Sequence, residues 1–135
     1  MIYLACPYTH PDPAVRQWRF EAACFATASL MRSGESVFSP IVHSHPLVRY
    51  GLPVEWEFWQ AQDCEHLQRC DCLVVLTLEG WKASRGVQTE IRMASERQLP
   101  IHYLSPAMIS TQSSGRLNIS CRPLSQSTST CVQSR

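Results

Sequence analysis

The sequence predicts an α/β fold in which a doubly wound, flavodoxin-like (Rossmann-like) parallel sheet of four to five strands lies between two helical layers. Four short apolar runs, rich in Val, Ile, Leu and aromatic residues, alternate with segments of helical periodicity: "IYLAC", "SVFSPI", "CLVVLTL" and "IHYLS". Strands buried on both faces of a parallel sheet have this continuously apolar character. Right-handed connections then favour the strand order 2-1-3-4, with a fifth edge strand available from the C-terminal segment.

The first predicted helix runs from about Ala14 to Ser33, because "PDP" precedes it and Gly34 follows it. Its helical periodicity predicts the following buried stripe: Val15, Trp18, Ala22, Phe25 and Ala26. The connection "SPIVHSHP", which follows the second strand, is expected to be a loop. It contains His43 and His45, which are more simply a loop pair than a metal site.

A second helix is predicted from Pro53, a favoured first-turn residue, to about Arg69. Steps of three and four residues place one set on its apolar stripe: Trp56, Trp59, Asp63, Leu67 and Cys70. The opposite stripe is expected to face solvent: Glu55, Gln62, His66 and Arg69. Asp63 is the anomaly, because a carboxylate on the apolar side of a helix is costly to ionise without a partner.

The third helix is predicted to begin near Ser84 or Gly86 and to end before Pro100. Its inward-facing residues are expected to be Val87, Ile91 and Ala94, and Glu90 lies one step from that line. Taken singly, Ser84 is most simply the residue that caps the helix, and Glu90 is most simply a solvated side chain.

The chain of 135 residues suits one folded unit. We expect the α/β domain to occupy residues 1–106. Residues 107–135, in which Ser, Thr and Gln dominate, are expected to form a weakly structured tail. Within that tail, only Leu117 to Ile119 could supply a short strand or a docking contact.

Composition excludes several classes of partner. The formal net charge of +1 shows no basic excess of the kind that binds nucleic acid or anionic membranes. No apolar run approaches the length of about 18 residues needed to span a bilayer, and "MIYLACPYTH" lacks the pattern of a signal peptide. We therefore expect a cytoplasmic protein that binds a small molecule. We assign no cofactor.

Seven cysteines are an odd number for a disulfide framework, and several lie inside apolar segments. Reduced, packed thiols are the predicted state. The spacing of Cys70 and Cys72 suits neither a redox pair nor a zinc pair, so no metal ligand is assigned.

Candidate functional residues follow the strands. In a doubly wound sheet, ligands bind beyond the carboxyl ends of the strands, where "CPYTH", "SPIVHSHP" and "EGWKASRG" are located. Tyr3, Asp63, Ser84 and Glu90 come from different elements and are expected to converge near one sheet edge. A helix that starts at Ser84 and Gly86 would offer free backbone N–H groups to a phosphate.

Three segments carry a resemblance to a known family: "IYLACPY", "QDCEHLQRCDCLVVL" and "SRGVQTEI". They resemble the nucleoside 2-deoxyribosyltransferase superfamily, which includes the 2'-deoxynucleoside 5'-phosphate N-hydrolases. The resemblance covers roughly residues 1–105. Its most specific part is Asp63, then Asp71 eight residues later before a strand, then Glu90 in the next helix.

The resemblance implies cleavage or transfer at the N-glycosidic bond of a (deoxy)nucleoside or nucleoside 5'-monophosphate. It makes Glu90 the nucleophile, Asp63 the residue that handles the departing base, and Tyr3 the residue that orients the nucleophile. Ser84 matches the serine that holds the 5'-phosphate in the hydrolase branch, and Gly86 lies beside it at the start of the same helix. This reaction requires two acids in different environments, because positive character develops on the sugar while the base leaves as an anion.

Further candidates for substrate contact are Tyr8, His43 and Trp59. Two features depart from the family pattern: "CPYTH" replaces the usual small-residue turn, and the "HSHP" loop is not shared.

Two alternatives stay open, namely a nucleotide-binding module without catalysis and an interaction protein that uses the His- and Trp-rich middle of the chain. A homodimer or homotetramer is expected, because family members commonly borrow partner residues and "VEWEFWQ" would expose aromatic side chains.

Overall fold

The computed structural model describes residues 1–110, 117, 119 and 121. Its centre is a sheet of four parallel strands in the order β2-β1-β3-β4, which confirms the predicted fold class and strand order. The strands are β1 (Ile2–Ala5), β2 (Val37–Phe38), β3 (Cys72–Leu76) and β4 (Ile101–Leu104). A fifth strand from the C-terminal segment would fall mostly outside the described residues.

Five helices within the described residues cover this sheet: α1 (Pro13–Arg32), α2 (Pro40–Val48), α3 (Trp56–Gln68), α4 (Arg85–Glu96) and α5 (Pro106–Ser110). α1, α2 and α5 lie on one face, whereas α3 and α4 lie on the other. A short 3₁₀ turn, Trp81–Ala83, precedes α4. Within the described part of the chain, no helix has both the length and the apolar character needed to cross a membrane.

The alternation of side chains along β1 decides which layer each residue serves. Ile2 and Leu4 pack with the α1 layer, while Tyr3 and Ala5 pack with α3 and α4. Because β1 pairs with both β2 and β3, its side chains are fully buried at the centre of the sheet. Tyr3 therefore extends from the middle of the sheet toward the two helices that carry the predicted acids.

The bounds of α1 agree with prediction to within one residue. Asp12 accepts a hydrogen bond from the Ala14 N–H at 2.9 Å, and Pro13 occupies the first turn. Gly34, with φ of 92°, provides the left-handed residue that ends the helix.

The predicted buried stripe of α1 is wrong for its two largest members. Trp18 and Phe25 are 52% and 56% exposed. The burial of Ala26 confirms one member of the predicted stripe, and the other buried residues of the helix are Ala23, Thr27 and Leu30. Small side chains let the helix approach the sheet closely, so the helix is rotated away from the orientation that would bury the most aromatic surface.

The predicted loop "SPIVHSHP" is instead the helix α2, Pro40–Val48. The Ser39 hydroxyl accepts a hydrogen bond from the Val42 N–H, and Pro40 takes the first helical position. Ser39 and Pro40 therefore end β2 after two residues and begin a helix. The apolar run "VFSPI" concealed this change, because its hydrophobicity suits a strand and a buried helix equally.

The helix α3 starts at Trp56, three residues after the predicted Pro53. Trp59, Asp63 and Leu67 are buried, which confirms the core of its predicted inward stripe. His66, predicted to face solvent, is half-buried instead. Its ring stacks on Phe38, with the ring centroids 4.1 Å apart, because the end of β2 lies beneath this side of α3.

The described residues after β4 contact the α1 layer. Ile109, Leu117 and Cys121 are buried there, and the Leu117 N–H donates to Ser33 Oγ at 3.0 Å. Most of the predicted weakly structured tail lies outside the described residues.

The prediction of reduced thiols is wrong for one pair, because a disulfide joins Cys72 to Cys121. The fold brings the start of β3 and the C-terminal segment together, although 49 positions separate them in the sequence. Among the other cysteines in the part of the chain that the structure describes, four are free: Cys6, Cys24, Cys64 and Cys70.

Candidate functional site

A cavity of about 400 Å³ opens at the carboxyl edge of the sheet, between the segments that follow β1, β2 and β3. Six of the eight predicted site residues line it: Tyr8, Trp59, Asp63, Ser84, Gly86 and Glu90. Tyr3 lies behind Glu90 and holds it by a hydrogen bond. The convergence expected from the topology therefore occurs, and His43 is the one predicted residue that takes no part in it.

Glu90 is a buried residue with a buried partner. Its side chain is 3% exposed, on the face of α4 that also carries Val87 and Ala94. The fully buried Tyr3 hydroxyl donates to Glu90 Oε1 at 2.6 Å. The interpretation of Glu90 as a solvated helix residue is therefore excluded, and the hydrogen bond fixes the orientation of the carboxyl group.

Burial raises the pKa of Glu90 from 4.5 to about 8. The hydrogen bond from Tyr3 opposes this increase, and the negative charge of Asp63 adds to it. The pKa of Tyr3 is itself raised well above 10, chiefly by burial and then by Glu90, so its hydroxyl keeps its proton. Tyr3 is consequently a permanent donor that favours the ionised form of Glu90.

Asp63 has a different environment at the same cavity. It is 8% exposed, and burial raises its pKa from 3.8 to about 7, with His66 opposing the increase. No hydrogen bond to its carboxyl group is formed by any residue that the structure describes. Asp63 therefore lacks the donor that stabilises a negative charge on Glu90.

The two acids influence each other electrostatically and titrate as a pair. The pKa of Glu90, at about 8, stays above that of Asp63, at about 7, even with the lowering by the Tyr3 hydrogen bond included, because burial has the larger effect. The hydrogen bond favours the opposite arrangement, because a phenol donates more strongly to a carboxylate than to a carboxylic acid. The form in which Asp63 holds the proton and Glu90 carries the negative charge is therefore the minor one, and the hydrogen bond from Tyr3 raises its share.

Ser84 and Gly86 each have a structural role at the start of α4. The Ser84 hydroxyl accepts a hydrogen bond from the Val87 N–H at 3.3 Å, which makes it the cap of the helix. A Cβ atom added at Gly86 would lie 3.1 Å from Trp56 Cε3, so glycine lets the indole pack against this turn. Both residues nevertheless line the cavity beside the N-terminus of the helix.

Arg19, which the sequence analysis missed, connects two loops of the cavity. Its guanidinium donates to the carbonyl oxygens of Tyr8, Thr9 and Glu79, at 3.3, 3.1 and 3.2 Å. Gly80, with φ of 88°, leaves room for it, since an added Cβ would lie 2.9 Å from Nη2. The sequence did contain a signal for Arg19 in its spacing. Arg19 precedes Ala23 by one helical turn and so extends the true buried stripe of α1 toward the cavity.

His43 is exposed on α2, with its ring 6.1 Å from that of Phe38, and it does not reach the cavity. His45 contacts Tyr8 instead: its Nδ1 is 2.7 Å from the Tyr8 hydroxyl, and its Nε2 is 2.9 Å from Gln17 Oε1. Burial, followed by the charge of Arg16, lowers the pKa of His45. This neutral bridge holds the Tyr8 ring in the cavity wall.

The raised pKa of Glu90 predicts a specific dependence of stability on pH. The folded protein holds this proton more tightly than the unfolded chain, so the contribution of Glu90 to the free energy of unfolding decreases as pH rises from about 4.5 to about 8. Glu90→Gln removes that contribution. Urea denaturation across this range should show the variant gaining stability relative to the parent as pH rises.

The control is Glu96→Gln, which changes an exposed acid on the same helix. Its stability should follow that of the parent at every pH. Parallel curves for Glu90→Gln and the parent would show that Glu90 is not a buried, proton-retaining carboxyl.

No match to the chain was found among curated protein sequences. One family model matches residues 1–105, and its description is "Domain of unknown function (DUF1937)". The matched residues contain the whole sheet and every cavity residue named above. Because the match covers more than half of the sequence, the chain belongs to the DUF1937 family.

Proposed function

We propose that this protein catalyses cleavage or transfer at the N-glycosidic bond of a (deoxy)nucleoside or a nucleoside 5'-monophosphate. Glu90 is the proposed nucleophile. The observation that carries the proposal is the buried hydrogen bond from Tyr3 to Glu90, at a cavity that Asp63 also lines. Cleavage of such a bond requires one carboxyl group that acts as an anion and a second that donates a proton. Two different environments can give two carboxyl groups these two roles.

In the proposed reaction, Glu90 attacks the anomeric carbon and forms a glycosyl ester. The bond from that carbon to the base breaks, its electron pair stays on the base nitrogen, and Asp63 supplies the proton that the base acquires. Water then hydrolyses the ester, or a second base attacks it and completes a transfer. The donor from Tyr3 orients Glu90 and favours its anionic form before the attack.

The dimensions and walls of the cavity suit a nucleoside. Its volume of about 400 Å³ lies in the range of small-molecule sites, roughly 300–1,000 Å³. Trp56 and Trp59 supply aromatic surface for a base. The Trp59 indole is fixed by a hydrogen bond from its Nε1 to the Pro53 carbonyl, at 2.8 Å.

The start of α4 supports a phosphate at one end of the substrate. The backbone N–H groups of Arg85 and Gly86 form no hydrogen bond with any described residue. Together with the positive end of the helix dipole and the Ser84 hydroxyl, they would bind an anion. A nucleoside monophosphate satisfies these donors, whereas a free nucleoside leaves them to water.

The proposed reaction is tested by incubating the protein with deoxynucleosides and their 5'-monophosphates, followed by chromatography for released base. We expect release from at least one substrate. Glu90→Gln, which preserves shape but removes the negative charge, should reduce turnover by several orders of magnitude. Asp63→Asn should reduce it by roughly 100- to 10,000-fold, the usual contribution of a general acid.

Glu96→Gln is the matched control and should retain the activity of the parent. Turnover by Glu90→Gln at the parent rate would overturn the mechanism. Binding of nucleotides without base release would identify the alternative, a nucleotide-binding module of the same fold without catalysis.

The proposed charge arrangement predicts a bell-shaped dependence of rate on pH. At low pH both acids are protonated and Glu90 cannot attack, whereas at high pH both are ionised and Asp63 cannot donate. Tyr3→Phe removes the hydrogen bond that lowers the pKa of Glu90. The rate on the acidic side of the profile should therefore fall by about 10- to 100-fold, the equivalent of one hydrogen bond to a charged group, while the rate on the alkaline side stays unchanged.

Tyr50→Phe, at an exposed tyrosine away from the cavity, is the control and should leave the profile unchanged. If Tyr3→Phe lowers the rate equally at all pH values, Tyr3 does not tune the charge of Glu90.

We also propose that the protein is cytoplasmic and assembles as a homodimer or homotetramer. Phe58, in the aromatic segment that begins α3, is 43% exposed and provides a candidate contact surface. Sedimentation velocity at micromolar concentration should show the assembly, and Phe58→Ser should weaken it. A strict monomer for the parent would contradict this proposal.

A further inference from the structure

We propose that Cys72, His102 and Cys121 form a zinc site when the two thiols are reduced. The two sulfur atoms and one imidazole nitrogen all lie within 4.8 Å of one another. The three residues come from β3, β4 and the C-terminal segment, on the sheet face that α1 covers. This inference does not depend on the proposed function, since Tyr3 and Glu90 belong to the opposite face.

The register of the sheet explains why His102 meets Cys72. β3 and β4 are parallel, with Val74 opposite His102. Cys72 and Val74 are two residues apart and so point to the same face, and His102 points there with them. Cys121 then approaches from the segment after α5, with its Cα atom 5.7 Å from that of Cys72.

His102 Nε2 is the observation that points to a ligand. This atom is buried and has no hydrogen-bond partner among the described residues. A buried polar nitrogen without a partner costs about 1–3 kcal/mol, which makes such an atom uncommon in a purely structural role. Coordination to a metal ion would satisfy it, so we assign Nε2 as the nitrogen ligand.

The ligand set and its dimensions fit zinc. Two thiolates and one imidazole are a known zinc combination that leaves a fourth position for water. Zn–S bonds of about 2.3 Å and Zn–N bonds of about 2.0–2.1 Å place tetrahedral ligands roughly 3.5–3.8 Å apart. The observed limit of 4.8 Å therefore requires only local side-chain adjustment once the sulfur atoms are no longer bonded to each other.

The disulfide and the metal site exclude each other. A small dithiol reductant breaks the Cys72–Cys121 bond by supplying two electrons and two protons, and it becomes a disulfide itself. The protein then carries two thiols. A zinc ion displaces one proton from each thiol and binds the two thiolates and Nε2. Either state connects the C-terminal segment, which carries Cys121, to Cys72 in β3. Cys121 lies beyond the family-matched residues 1–105.

The test uses the full chain, reduced with a dithiol, freed of the reductant without oxygen, and titrated with cobalt(II). We expect one equivalent to bind with the thiolate charge-transfer and tetrahedral d–d bands of a sulfur-ligated site, and zinc to displace it. Cys121→Ser should lose the binding. His102→Gln should weaken it by at least tenfold and alter the d–d bands.

Cys70→Ser is the matched control, because Cys70 is a free, buried cysteine two residues before Cys72. It should bind cobalt as the parent does. Absence of binding by the reduced parent, or binding unchanged in both Cys121→Ser and His102→Gln, would overturn the proposal and leave the disulfide as a structural crosslink. Circular dichroism checks folding, and if Cys121→Ser does not fold, His102→Gln decides the question.

Discussion

The hydrogen bond from the Tyr3 hydroxyl to Glu90 joins the centre of the sheet to the middle of α4, and the organisation of the cavity depends on it. An ionised carboxylate at 3% exposure is unfavourable, and Tyr3 is the donor that offsets part of that penalty. Without Tyr3, the pKa of Glu90 would rise above about 8, and a still smaller fraction of Glu90 would be ionised near neutral pH. The central position of β1 contributes to this contact, because pairing with strands on both sides fixes the backbone that carries Tyr3.

A carboxyl group kept in this environment lowers the stability of the fold. A glutamine would keep a similar shape without the penalty of ionisation, and an apolar residue would pack against Val87 and Ala94. The chain instead carries two poorly solvated acids, Asp63 and Glu90, at one cavity. Such pairs concentrate at functional sites, which is why this geometry supports an enzyme better than a passive binding surface.

The sheet could be predicted because its signal is local, whereas the orientation of the helices could not. Each buried strand is a short apolar run, and the chirality of connections leaves few possible orders. The orientation of α1 depends on how closely it approaches the sheet, and Ala23 and Ala26 permit a separation that Trp18 and Phe25 would prevent. The helix α2 was missed for a related reason, since "VFSPI" is apolar whether Ser39 continues a strand or caps a helix.

The sequence predicted a site residue most clearly where that residue departs from the apolar pattern of its helix. Asp63 interrupts an apolar stripe, so its burial could be inferred from spacing alone, and the raised pKa follows from that burial. Glu90 gave a weaker signal, because it lies beside the predicted stripe of α4 and its burial depends on Tyr3, 87 positions away in the chain. Arg19 gave only the signal of its spacing before Ala23, since its three acceptors are backbone carbonyl oxygens, and the residue types that carry them do not reveal such contacts.

The two proposed sites lie on opposite faces of the sheet. Along β3, Leu73 and Val75 support the acids on one side, while Cys72 and Val74 lie with His102 on the other. A change in the state of the sulfur atoms therefore acts on the attachment of the C-terminal segment, with an apolar sheet between it and Glu90. Because Cys72 begins the strand and the cavity lies beyond its far end, such a change can alter stability without altering the environment that sets the charge of Glu90.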